Sequence, residues 1–249
     1  MAAKKKAGSP SSAERPVART GHDELFARLR RAIPEPRCEL DHASPWQLLI
    51  ATILSAQSTD KTINSVTPDL FARWPTPAAL AAAPREDVER AVHRTGFFRN
   101  KARSIQLASM AIAQQHGGEV PRTMEALLEL PGVARKTANL VLGTGFGIPS
   151  GIVVDTHVTR MAGILGLSTA TKPEAIEQDL CAILPKDRWV DDGHRLLLHG
   201  RHVCTARQPD CAACPLHELC PSAAAVPVHG TWEERAAAEG RRVASRGAD

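Results

Sequence analysis

A lysine inside an otherwise apolar stretch is the first residue in this sequence that could do chemistry. Lys136 lies in LPGVARKTANLVL (130–142), shortly after Pro131 and Gly132. An amine beside a helix N-terminus, in partly apolar surroundings, loses its charge more readily than an exposed amine and then acts as a nucleophile. A lysine that faces solvent or contacts a phosphate fits the same pattern.

The residues around Lys136 are typical of two helices joined by a tight turn. TMEALLEL (123–130) predicts one helix, and a second begins near residue 134. The first N–H groups of the second helix have no partner within that helix, so they can bind a DNA phosphate of any sequence. An ordinary helical hairpin with a glycine turn fits the pattern equally well.

A carboxylate follows 19 residues after the lysine, in VVDTH (153–157). Asp155 ends a short apolar segment and is expected to cap a helix that begins at Thr156. Near an amine, the same carboxylate can also accept a proton or stabilise a developing positive charge. Capping alone remains the alternative for this residue.

Four of the six cysteines are crowded near the end of the sequence. Their spacing is C-x6-C-x2-C-x5-C, at Cys204, Cys211, Cys214 and Cys220. In an intracellular protein such crowding indicates a metal site rather than disulfides. Four thiolates suit zinc or an iron–sulfur cluster, and the chemistry alone does not choose between them.

The elements that must position these residues are predicted to be short helices. SPWQLLIATILSAQS (44–58) is apolar nearly all round and predicts a central buried helix. HDELFARLRRAI (22–33) and KARSIQLASMAIAQQHG (101–117) have apolar residues at helical spacing. Only GIVVD (151–155) resembles a strand, and it is too short to build a sheet. The predicted fold class is all-α.

The charge of the 249-residue chain is local rather than global. Residues 1–20 contain five basic residues and one acid, which equals the whole net charge of +4. That segment is predicted to be a disordered basic tail. A second patch, residues 90–103, contains five Lys or Arg residues and no acid after position 90. With no long apolar run, the chain is expected to be cytoplasmic and free of membrane contact.

Six segments share their order and spacing with one known family. The sequence resembles the endonuclease III family of DNA glycosylases over about residues 22–221. The segments that carry the resemblance are LSAQSTD (54–60), GFFRNKA (96–102), GEVP (118–121), LPGVARKTANLVL (130–142), VDTHVTR (154–160) and LHGR (198–201).

The resemblance implies a two-domain helix-hairpin-helix glycosylase fold, in which a six-helix barrel is joined to a cluster domain built from both chain ends. It also chooses a [4Fe-4S] cluster for the four cysteines. The implied boundaries are a basic tail (1–20), an N-terminal helix packing on the cluster domain (21–38), the barrel with the hairpin (39–148), the rest of the cluster domain (149–221) and a flexible tail (222–249).

The implied activity is that of a bifunctional DNA glycosylase/AP lyase of base excision repair. Lys136 would attack the deoxyribose C1′ of an oxidised pyrimidine such as thymine glycol, and β-elimination would then cut the strand. Asp155 would act as the base or as an electrostatic stabiliser. The expected partner is double-stranded DNA with a damaged pyrimidine or abasic site. The enzyme is expected to be a monomer and, in a bacterium, to be associated with the nucleoid.

The resemblance also implies a set of DNA contacts. Gln57 would fill the space left by the extruded base, and Phe97 would wedge into the opposite strand while Phe98 packs inward. The alternative for Gln57 is a helix-end cap, and the alternative for Phe97 is an aromatic residue of the core. The further predicted DNA contacts are Gly132, Val133, Ala134, Arg135, Thr137, His157, Arg201 and Arg207. The family usually has glycine where Ala134 stands.

Three other functions remain open from the sequence. One is a mismatch-specific sister glycosylase, although such relatives have serine or tyrosine at the position of Lys136. The second is a DNA-binding module of the same fold that lacks catalysis. The third is a zinc-dependent DNA-binding protein. The presence of both Lys136 and Asp155 argues against the second alternative, and visible absorption would exclude or support the third.

Overall fold

The structure is a computed structural model that describes residues 22–223, and every regular element in that range is helical. The α-helices are α1 (His22–Ala32), α2 (Pro45–Leu54), α3 (Asp60–Asn64), α4 (Thr67–Arg73), α5 (Pro77–Ala82), α6 (Arg85–Val92), α7 (Phe98–Gln115), α8 (Met124–Leu128), α9 (Arg135–Leu140), α10 (Thr156–Ile164), α11 (Pro173–Ile183) and α12 (Trp189–His202). The predicted tails at 1–20 and 222–249 lie outside the described residues, apart from Ser222 and Ala223.

The all-α prediction is confirmed, and the strand-like GIVVD (151–155) is an irregular segment that leads into α10. α2 is the central buried helix that its sequence predicts. The Ser44 side chain accepts a hydrogen bond from the Gln47 N–H, and Pro45 occupies the first turn, where a missing N–H costs nothing. The residues that follow, from Leu48 to Leu54, are all buried.

The buried side chains form two separate clusters. The first lies wholly within residues 40–142, and the second joins Leu25, Phe26 and Leu29 of α1 to residues between 152 and 216. A hydrogen bond also joins the end of α1 to α12, since Arg195 of α12 donates to the carbonyl oxygen of Ile33 at 2.9 Å. The N-terminal helix therefore packs on the C-terminal part of the chain. The exact domain boundaries remain a prediction.

One helix departs from the expected regular geometry. After α9 the chain continues as a π-helical turn, Val141–Gly145, rather than as a regular α-helix. Such turns insert a residue into the helix and occur often near functional sites. None of the helices in residues 22–223 is long and apolar enough to cross a membrane.

Candidate active site and cluster site

The turn between α8 and α9 requires a glycine. Gly132 has φ +81°, and a Cβ placed there would lie 3.0 Å from the Cβ of Ser104 on α7. The turn is closed by a 3.1 Å hydrogen bond from the Val133 N–H to the Leu130 carbonyl oxygen. Gly132 thus satisfies both an unusual backbone angle and a close approach to α7.

We expect Gly132→Ala to lower the free energy of unfolding by about 1–3 kcal/mol, because alanine is strained at positive φ and meets Ser104. Ala134→Gly is the matched control in the same turn. Denaturant unfolding of both variants checks the prediction. Equal stability of Gly132→Ala and the parent chain would contradict it.

Ala134, at a position where glycine is usual in the resembled family, sits in ordinary backbone geometry. Its φ is −104° and its ψ is 170°, so it is extended rather than helical, and alanine is allowed there. It is the N-cap residue of α9, and its side chain makes no capping hydrogen bond. The first N–H groups of α9 are therefore left without a side-chain cap.

Lys136 is exposed in the first turn of α9, whereas Ala138, Asn139 and Leu140 of the same helix are buried. The buried residues fix the position of the helix, and the Lys136 amine faces solvent. Thr137 beside it is half-buried, and Val133 in the turn is buried.

Arg135 makes an ion pair that the sequence did not reveal. Its guanidinium donates two hydrogen bonds to Glu177 of α11, at 2.8 and 2.9 Å. The Glu177 side chain is 8% exposed and also accepts from Asn139 at 2.9 Å, and Ser150 donates to Asn139 at 2.8 Å. Arg135 therefore links the hairpin to α11, and nothing in the local sequence around Glu177 marks it as the partner.

Asp155 caps α10, as predicted. Its Oδ1 accepts a 2.8 Å hydrogen bond from the Val158 N–H, and the residue is half-buried. The bond fixes the orientation of the carboxylate at the start of the helix. His157, two residues later, is also half-buried, and burial lowers its pKa below the ordinary value.

Gln57 and Phe97 share a strained backbone. They are the non-glycine residues with positive φ in residues 22–223, at 55° and 47°. Both are exposed, and Phe97 is 67% exposed. Phe98 is half-buried and packs against the first buried cluster, so one ring of the pair points outward and the other inward, as predicted. Left-handed backbone at such residues is held against a cost of about 1–3 kcal/mol and is typical of functional sites.

The basic patch of residues 90–103 is smaller than the sequence indicated. Lys101 is buried, donates to the Thr95 carbonyl oxygen at 2.6 Å, and has a pKa lowered by burial. Arg90 forms an ion pair with Asp87 on its own helix. Arg94, Arg99 and Arg103 are exposed.

Arg201 and Arg207 occupy different environments. Arg207 is exposed in the loop between the first two cysteines. Arg201 forms ion pairs with Glu39 and with Asp60, the latter at 2.5 Å. The structure therefore directs the Arg201 guanidinium towards two carboxylates of its own chain, which does not favour the phosphate contact predicted from the sequence.

All four crowded cysteines line one cavity of about 120 Å³. Burial raises the pKa of the Cys214 thiol to about 12, and the Leu216 N–H donates to its Sγ at 3.4 Å. Four thiols arranged around a common space are suited to a cluster, which takes four thiolate ligands.

Arg160 of α10 supports this cavity. It donates to the carbonyl oxygens of Gly200 at 2.5 Å and Cys204 at 2.9 Å, so it fixes the end of α12 and the first cysteine. Asp155 and the cluster site are thereby joined through one helix, α10.

Comparisons with known proteins agree with this site. Residues 50–186 match the family of HhH-GPD superfamily base excision DNA repair proteins, and residues 204–220 match the iron-sulfur binding domain of endonuclease III. Endonuclease III of Synechocystis sp. is 52% identical over 202 residues, which are 81% of this chain and 92% of that protein. Endonuclease III of Escherichia coli (strain K12) is 42% identical over 197 residues, 79% and 93% of the two chains.

A solved structure of a trapped endonuclease III–DNA covalent intermediate superposes with a TM-score of 0.79 at 39% identity. The match covers 83% of this chain and 97% of that one. The predicted helix-hairpin-helix glycosylase fold, the [4Fe-4S] cluster and the DNA glycosylase/AP lyase activity are confirmed. The four cysteines lie within the matched range 204–220, and their assignment as the ligands stays a prediction. This chain belongs to the endonuclease III family.

Proposed function

We propose that this enzyme removes oxidised pyrimidines from double-stranded DNA and cuts the strand at the resulting abasic site, with Lys136 as the nucleophile. The observation that carries the proposal is the exposed amine of Lys136 in the first turn of α9, directly after the glycine turn. If the first backbone N–H groups of α9 bind a DNA phosphate, the neighbouring deoxyribose would lie close to the Lys136 amine.

The chemistry needs one amine in two successive steps. The Lys136 Nζ lone pair attacks C1′, the glycosidic bond breaks, and the base leaves with the bonding electrons and takes up a proton. Opening of the sugar ring gives a Schiff base between Nζ and C1′. Loss of a C2′ proton then expels the 3′ phosphate, and hydrolysis frees the lysine.

Asp155 is the proposed partner of Lys136. Its Oδ1 is occupied by the Val158 N–H, so the carboxylate is held in one orientation. In that position it would accept the proton of the Lys136 amine or stabilise the positive charge that develops on the sugar.

Gln57 is the proposed residue that fills the space of the extruded base, and Phe97 is the proposed wedge in the opposite strand. Extrusion costs a few kcal/mol in lost stacking, which inserted side chains offset. The exposed ring of Phe97 offers apolar area for stacking, and Gln57 offers an amide for hydrogen bonds. Further proposed contacts to the phosphates come from Arg207 and from the exposed arginines Arg94 and Arg99.

The cluster site has a structural part in this proposal. A [4Fe-4S] cluster, when bound, would supply a rigid crosslink among four thiolates, and Cys204, Cys211, Cys214 and Cys220 would hold it. The relatives named above are bacterial, and we expect the enzyme to act as a monomer in the cytoplasm, on the DNA of the nucleoid.

Borohydride trapping on defined duplexes tests the proposed function. We expect a covalent adduct with duplexes that carry thymine glycol or a preformed abasic site, and none with undamaged DNA. Duplexes with a G·T mismatch or an adenine opposite an oxidised guanine test the sister specificities. An adduct on the abasic duplex alone would refute the substrate class, and no adduct on any duplex would leave a DNA-binding module.

A further inference from the structure

Arg201, in the last turn of α12, joins the segment between α1 and α2 to the start of α3. Its Nη1 donates to Asp60 Oδ2 at 2.5 Å and to Glu39. Asp60 is the first residue of α3, and Glu39 lies between α1 and α2. Between 19% and 27% of each of these three side chains is exposed, so the charges lie largely out of water.

Further hydrogen bonds attach the other end of α3 to the same segment. Asn64, the last residue of α3, donates to the Glu39 carbonyl oxygen at 2.8 Å and accepts from the Asp41 N–H at 3.0 Å. His202 Nε2 and Glu39 Oε1 are 2.7 Å apart. The short helix α3 is therefore held at its first residue through Arg201 and at its last through Asn64.

The loop that precedes α3 contains Gln57, only three residues before Asp60. Gln57 has φ 55°, and the loop around it is closed by a 3.0 Å hydrogen bond from the Ser58 N–H to the Ser55 carbonyl oxygen. A non-glycine residue keeps such a conformation only where the flanking structure enforces it. α2 is buried on one side, and the Arg201–Asp60 ion pair fixes the other side.

The charges around Arg201 do not suit a phosphate. Burial alone would lower the pKa of the Arg201 guanidinium, but the charges of Asp60 and Glu39 outweigh it and raise that pKa above its ordinary value. Two carboxylates already compensate the charge of the Arg201 guanidinium, so the site offers an anion no uncompensated positive charge. Arg201 is committed to the protein itself.

We propose that Arg201 is a positioning residue for base removal, which holds α3 through Asp60 so that Gln57 keeps its left-handed conformation. This inference rests on the proposed function, in which Gln57 replaces the extruded base. Arg201 acts through Asp60 and touches neither the sugar nor the base.

The test compares Arg201→Met and Arg201→Lys with Arg73→Met in the cluster-loaded full chain. Arg73 is a matched control, because its ion pair with Asp87 at 2.7 Å lies on the surface and does not involve α3. We expect Arg201→Met to lower the single-turnover rate of thymine glycol excision about tenfold, the change that 1.4 kcal/mol of lost preorganisation produces. Cleavage of a preformed abasic site, where no base must be extruded, should change less than about threefold.

Arg201→Lys retains a cation for one carboxylate and should recover part of the excision rate. The salt dependence of DNA binding separates positioning from phosphate contact. A lost phosphate contact reduces the slope of log K against log salt by about 0.9. We expect no change of slope for Arg201→Met and a reduction for Arg207→Met. A reduced slope in Arg201→Met, or equal losses of excision and abasic-site cleavage, would overturn the proposal.

Deuterium uptake by residues 55–65 in the absence of DNA tests the same inference without any activity. We expect faster uptake in Arg201→Met than in the parent chain and Arg73→Met, with the visible absorbance of the cluster and the thermal midpoint as checks on folding. Unchanged uptake would refute the positioning role. If the parent chain excises no thymine glycol while Arg201→Met still shows faster uptake, the proposed function is refuted but the positioning of the loop by Arg201 is supported.

Discussion

Lys136→Gln should abolish the borohydride adduct and lower the rate of strand cleavage by about a thousandfold or more. An amide nitrogen has no lone pair available to attack C1′, so both base loss through the Schiff base and β-elimination are lost together. Because Lys136 is exposed, the free energy of unfolding should change by less than about 0.5 kcal/mol. Single-turnover cleavage of an abasic duplex measures the rate of strand cleavage, and denaturant unfolding measures the free energy of unfolding.

The control for this variant is Lys172→Gln, which removes another exposed lysine at the start of α11. It should form the adduct at the parent rate. A persistent adduct in Lys136→Gln would mean that a different amine is the nucleophile. If Lys136→Gln binds DNA more weakly but still forms the normal amount of adduct at saturating enzyme, Lys136 is a phosphate contact.

Asp155→Asn should lower the excision rate by about a hundredfold or more while leaving stability almost unchanged. The amide oxygen can still accept from the Val158 N–H, so the cap on α10 is kept, whereas the negative charge and the proton acceptor are lost. Asp155→Ala removes the cap as well and should cost about 0.5–2 kcal/mol of stability in addition. Excision kinetics and denaturant unfolding of the two variants separate catalysis from capping.

Thr76→Ala is the matched control for the cap. Thr76 caps α5 through a 3.1 Å hydrogen bond from the Ala79 N–H, and it lies on a different helix from the proposed site. Its loss should reduce stability without reducing excision. Full activity in Asp155→Asn would reduce Asp155 to a helix cap, which the sequence alone left open.

The features that the sequence predicted correctly depend on residues that are close together in the sequence. The Asp155 cap, the burial of α2 and the outward Phe97 beside the inward Phe98 each follow from side chains a few positions apart. Periodicity and capping preferences act over that range, so the position of Lys136 near the start of a helix could also be expected.

What the sequence did not reveal depends on distant partners. Arg135 pairs with Glu177, 42 residues away, and Arg201 pairs with Asp60, 141 residues away. Lys101 looks like part of a basic surface until the fold buries it. A charged residue shows no local sign of the partner that neutralises it, so local charge counts overestimated the free basic surface.

The packing of α1 has a consequence for the order in which the molecule can be made. The first buried cluster uses residues 40–142 only, so it can form while the rest of the chain is still being synthesised. Leu25, Phe26 and Leu29 have partners between residues 152 and 216, which emerge much later. At ribosomal speed, the apolar face of α1 must wait roughly ten seconds or more for its cover. The cysteines of the cluster site, Cys204 to Cys220, also follow the first cluster in the sequence. Closing α1 and loading iron therefore come after the first cluster is complete, and a shortage of iron would affect a chain in which that cluster is already folded.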